Sequence, residues 1–106
     1  PSENKYSFRP FFEAVACQRK NEPVYLTPSR ESLLGAAVFY LERRVPILDN
    51  LKALPEDVKN PYQKVFVINL SPANDELIAA LQSKGFCLLL QKKIGQGWMQ
   101  LYSNHS

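Results

Sequence analysis

Two hydroxyl-proline pairs, Thr27-Pro28 and Ser71-Pro72, each close a short apolar run and open a helical one. A hydroxyl at a helix N-cap with proline at the first helical position satisfies a free backbone N–H and pre-sets the helical φ. A helix start placed after a parallel strand can also hold an anion such as phosphate or carboxylate. Thr27-Pro28-Ser29-Arg30, Asp49-Asn50 and Ser71-Pro72-Ala73-Asn74 are therefore read as strand carboxyl ends, where an open α/β sheet gathers ligands. Capping alone accounts for Thr27 and Ser71, and neither turn has the glycines with which a backbone wraps a phosphate. Asp49 could pair with Arg30 or serve as a turn residue.

The other chemistry-bearing side chains read more plainly. Arg43 and Arg44 follow a helix and are favoured by its negative end. Tyr40, on that helix, reads as a core residue with its hydroxyl at the rim, and Trp98 as packed. No Ser-His-Asp set, closely spaced carboxylate pair or Gly-rich phosphate loop occurs, so no catalytic residue is assigned and no cofactor is expected. The single histidine, His105, lies in a polar tail and no Cys-x-x-Cys spacing exists, so no metal site is expected. Cys17 and Cys87 sit among apolar residues and read as reduced core thiols, with a disulfide as the alternative.

These residues need a scaffold, and 106 residues with 45% hydrophobic and 22% charged side chains suffice for one domain with a real core. The net charge of +3 comes from scattered pairs (Arg19-Lys20, Arg43-Arg44, Lys92-Lys93), without the one-faced cluster that nucleic acid demands. The chain opens at Pro1 without an initiator Met or an apolar signal core, which reads as a piece of something larger.

The organising stretch is Leu33 to Asp49. Leu34, Ala37, Val38 and Leu41 recur at helical spacing, widened by Leu33, Ala36 and Tyr40, and Pro46 is expected to end the helix. This apolar run is far shorter than the roughly 20 residues a bilayer needs. Before it, Ser7 is read as the cap of a helix with Phe8, Phe11, Phe12 and Val15 inward, followed by a strand at Val24-Tyr25-Leu26. After it come a short strand Val45-Pro-Ile-Leu48, an irregular helix from Leu51 to Val58 and a turn at Asn60-Pro61. Lys64 to Leu70 reads as a central parallel strand covered on both faces. A helix with Leu77, Ile78 and Leu81 inward then ends at Gly85, and a hairpin joins Phe86–Ile94 to Trp98–Tyr102. The expected fold is a small three-layer, Rossmann-like α/β domain spanning residues 1–106, with a mainly parallel sheet and a C-terminal antiparallel hairpin.

Tyr25…Pro28-Ser29…Phe39-Tyr40-Leu41…Arg44-Val45-Pro46…Asp49, with Gly85-Phe86 later, resembles the extracytoplasmic C-terminal domain of membrane glycosyltransferases of the protein-mannosyltransferase and aminoarabinose-transferase family. Those enzymes use polyprenyl-phosphate sugars as donors. The likeness runs from about Glu22 onward; the family commonly has Gly where this chain has Glu42. It implies an accessory domain on the outer face of the membrane, partnered by the membrane part of the same polypeptide, which would carry the catalytic acid. It also implies Arg30, Tyr40, Arg43 and Arg44 as the substrate-facing contacts, and an oxidising compartment that favours a disulfide. The competing expectation is a stand-alone soluble module that binds a small anion at the Thr27 and Ser71 turns. A nucleic-acid partner ranks last.

Overall fold

In the computed structural model, which describes residues 8–50 and 52–105, the chain runs α1 (Arg9–Gln18), β1 (Val24–Leu26), α2 (Glu31–Leu41), α3 (Glu56–Lys59), β2 (Phe66–Ser71), α4 (Asp75–Ser83), β3 (Cys87–Ile94) and β4 (Gly97–Ser103). The strands form one sheet in the order β1-β2-β4-β3. Only β1 and β2 are parallel, with Tyr25 opposite Val67. β4 is antiparallel to both its neighbours, setting Ser71 opposite Trp98 and Gln91 opposite Gln100. The fold is thus mixed α/β, and the expected mainly parallel sheet is corrected to a mostly antiparallel one. The expected C-terminal antiparallel hairpin is present and forms one edge of the sheet, with β4 beside β2 and β3 outermost.

The expected strand at Val45–Leu48 shrinks to one bridge, Ile47 beside Leu26. It is held by the Leu26 N–H on the Pro46 carbonyl (3.0 Å) and the Leu48 N–H on the Leu26 carbonyl (2.9 Å). Pro46 has no N–H with which to extend the ladder.

Central strand β2 feeds two cores through its alternating side chains. Phe66 and Ile68, with Met99 and Leu101, pack against Phe8, Phe11, Phe12 and Val15 at α1 and Leu33, Ala36 and Ala37 of α2. Val65 and Val67, with Tyr102, pack against Val58, Leu77, Ile78, Leu81 and Phe86. Helices therefore cover both faces of the sheet. α1 follows its expected stripe, whereas its expected cap, Ser7, lies outside the described residues, as does Leu51.

Several helix boundaries differ from expectation. α2 starts at Glu31 with Arg30, not Thr27, at its N-cap, and α3 is only Glu56–Lys59, shorter than the expected helix from Leu51 to Val58. α2 stops at Leu41, before Pro46, because Glu42 turns into the left-handed region at φ +54°. Its buried stripe is Leu33, Ala36 and Ala37, and Val38 faces out. α4 starts only after Asn74, at φ +65°, so Ser71 ends a strand and caps nothing. The far end of α4 is as expected. Gly85 (φ +96°) lets its own N–H reach the Gln82 carbonyl and the Phe86 N–H reach the Leu81 carbonyl, a Schellman closure.

Candidate functional site

The turns after β1 and β2 lie side by side because those strands are parallel neighbours, and one polar network ties them together. Thr27, fully buried, donates its hydroxyl to Asn69 Oδ1 at 2.7 Å. Asn74 Nδ2 donates to the Pro28 carbonyl (3.0 Å), Thr27 Oγ1 (3.2 Å) and Asn69 Oδ1 (3.2 Å). The left-handed backbone at Asn74 marks the turn from which its amide bridges the two loops. Asn69 Nδ2 continues to Gln100 Oε1 (3.2 Å), which also accepts from the Tyr102 hydroxyl (3.2 Å). Gln100 Nε2 then donates to Gln91 at the outer strand (3.2 Å). Each of these buried polar atoms has a partner, as burial requires.

Above this network opens a cleft of about 530 Å³ lined by Arg30, Leu70, Ser71, Pro72, Ala73, Gln96 and Gly97. Arg30 stands at the N-cap of α2, and Ser71 and Ala73 belong to the second turn. Gln96 and Gly97 arrive because β4 is antiparallel to β2, which brings the β3–β4 turn to the carboxyl end of β2. Contact there is close: a Cβ on Gly97 would run into the Ser71 carbonyl oxygen. Among the described residues the lining offers one guanidinium, one hydroxyl and one amide, with no carboxylate or imidazole to move a proton. Such a set can hold a polar or anionic group and cannot by itself perform acid–base chemistry.

A second hollow of about 460 Å³, lined by Glu56, Asp57, Lys59, Asn60 and Gln63, is occupied with its own pairings. Lys59 bridges Glu56 at 3.0 Å, and Asp57 accepts from the Tyr25 hydroxyl at 2.7 Å. Burial, then the hydrogen bond and charge of Asp57, push the Tyr25 phenol up to about 12.

The substrate-facing residues expected from the resemblance fall into two places. Arg30 is in the cleft. Tyr40, Arg43 and Arg44 gather at the opposite end of α2, about 15 Å away at 1.5 Å per residue. Tyr40 is half-buried and stacks on Phe12 at 5.5 Å, as read from the sequence. Arg43 and Arg44 are exposed. Arg43 lies near Arg19, whose pKa is lowered first by burial and then by the Arg43 charge. Cys17 and Cys87 are both free and exposed, which corrects the core-thiol reading. Trp98 is 40% exposed, with Lys93 Nζ over its ring at 5.2 Å, and so is not a packed residue. His105 reaches the Pro61 carbonyl (2.9 Å), and among the described residues no His, Cys, Asp and Glu cluster could hold a metal.

Asn69 is the structural residue that sequence reasoning passed over; its signal was to be the only polar residue in the apolar run Val65–Leu70. Compared with protein-family models, curated proteins and solved structures, the chain matches none.

Proposed function

We propose that the chain is an accessory extracytoplasmic domain of an integral-membrane glycosyltransferase that moves a sugar from a polyprenyl-phosphate donor to lipid or protein. In this reading catalysis resides in a membrane part of the same polypeptide, and the domain lies on the outer face of the membrane, presenting its Arg30 and Tyr40–Arg44 ends toward the donor.

One observation carries the reading. The segment that resembles the family, Phe39 to Pro46, makes its corner at Glu42, whose φ of +54° is a conformation glycine adopts without strain. The family's usual residue at that position is glycine, and the left-handed corner here supports the likeness. The cleft agrees with an accessory role, since it offers binding groups and no proton-transfer group.

The test is transfer from polyprenyl-phosphate mannose or polyprenyl-phosphate aminoarabinose by membranes carrying the parent polypeptide. Sugar appearing on membrane lipid or protein, with release of polyprenyl phosphate, in a manner that depends on the polypeptide supports the reading, and transfer no greater than in control membranes refutes it. The arginine in the cleft favours a second reading, a stand-alone module for a small anion. That reading requires the isolated chain to bind inorganic phosphate or a sugar phosphate, and to lose the binding in Arg30→Gln.

A further inference from the structure

Helices on the surface of a globular domain carry a polar outer face. α1 has Arg9 and Glu13 outward, and α4 has Glu76 and Gln82. α2 has none between Leu33 and Leu41: its outward residues are Gly35, Val38 (48% exposed) and Phe39 (55% exposed). Phe39 lies edge-on to Tyr40 at 4.9 Å, while Tyr40 stacks on buried Phe12. Arg43 and Arg44 follow at once, with Arg19 close to Arg43. Among the described residues of this corner, Glu22 and Glu42 stand against Arg19, Lys20, Arg43 and Arg44. An exposed apolar face that ends in a net basic corner offers an anionic lipid surface both apolar area to bury and charge to attract.

We infer that the outward face of α2, with Arg43 and Arg44, docks on an anionic lipid surface; the choice of lipid as occupant rests on the charge of this corner and on the reading above. Phe39 and Val38 enter the headgroup boundary, and the two arginines sit at the level of the lipid phosphates. The helix then lies along the surface for about 16 Å.

The test is co-sedimentation of the 106-residue chain with vesicles of equimolar phosphatidylglycerol and phosphatidylcholine, and with phosphatidylcholine alone. The expected result is binding to the anionic vesicles that weakens with salt and is lost in Phe39→Ser, with Phe39→Leu retaining most of it. Arg43→Gln and Arg44→Gln should each weaken binding about 5-fold. Far-UV circular dichroism establishes that each variant is folded, which the exposure of all three positions favours. Absence of binding to either vesicle, equal binding to both, or full binding by Phe39→Ser overturns the inference. A dimer that Phe39→Ser dissociates also overturns it, by assigning the face to a second copy. Vesicle binding without sugar transfer by the parent would sink the glycosyltransferase reading alone, and transfer without vesicle binding would sink the docking face alone.

Discussion

Replacing Asn69 with Leu tests whether the polar network, more than apolar packing, fixes the two turns that frame the cleft. The two side chains are close in volume, so the substitution opens little cavity. It removes the acceptor of the fully buried Thr27 hydroxyl and the donor to Gln100, while Asn74 keeps the Pro28 carbonyl. An orphaned buried hydroxyl costs roughly 1–3 kcal/mol and a lost neutral hydrogen bond about 1 kcal/mol. The expected destabilisation is about 2–4 kcal/mol, read as a lower urea midpoint with an unchanged slope. Thr27→Val in the Asn69→Leu background removes the orphaned hydroxyl and should recover about 1–2 kcal/mol, whereas in the natural chain it costs about 1 kcal/mol. The double-mutant cycle must therefore show coupling. If the single effects add to within about 0.3 kcal/mol, Thr27 and Asn69 do not act as a unit and the reasoning fails.

Three further outcomes are expected. Glu42→Gly should raise stability by about 0.5–1 kcal/mol, because it relieves a side chain held at φ +54°, and a lower thermal midpoint would contradict that corner. Gly97→Ala should destabilise by roughly 1–3 kcal/mol in urea titration, since its Cβ would meet the Ser71 carbonyl and must displace backbone. The Tyr25 phenol is raised from 10.0 to about 12, so its neutral form stabilises the fold fully below pH 10.0, and that contribution is lost as pH rises through about 12. Tyr25→Phe should flatten the decline in stability between those pH values, and an unchanged alkaline profile would refute the Tyr25–Asp57 pairing.

Local pattern made much of this fold legible. Phe8, Phe11, Phe12 and Val15 declared the buried face of α1, and the same phase puts Cys17 about 200° from Val15, on the exposed side, where it lies. Gly85 and Gly95 marked a helix end and a hairpin turn, and both have positive φ. Where the pattern saturates, it stops informing: from Leu33 to Leu41 no residue is charged, so helical spacing could not choose between Ala37–Val38 and Leu33–Ala36 as the inward stripe. Strand order is not local either. Nothing in Trp98–Tyr102 says that this strand lies beside β2, and the parallel part of the sheet is small because Val45–Leu48, expected as a further parallel strand, makes only one bridge to Leu26. The hydroxyls of Thr27 and Ser71 were read as helix caps because capping is their commonest local use. Thr27 instead found Asn69, 42 residues away, and the helices began three or four residues later. The cleft was half visible, through the Arg30 and Ser71 turns, and Gln96 joined it only through the antiparallel return of β4.

Sugar transfer by the parent polypeptide bears most directly on the functional reading. Membranes that contain it, given polyprenyl-phosphate mannose or polyprenyl-phosphate aminoarabinose, should release polyprenyl phosphate in proportion to its amount, and Arg30→Gln should reduce that release at normal protein levels. Release equal to that of membranes lacking the polypeptide would contradict the account.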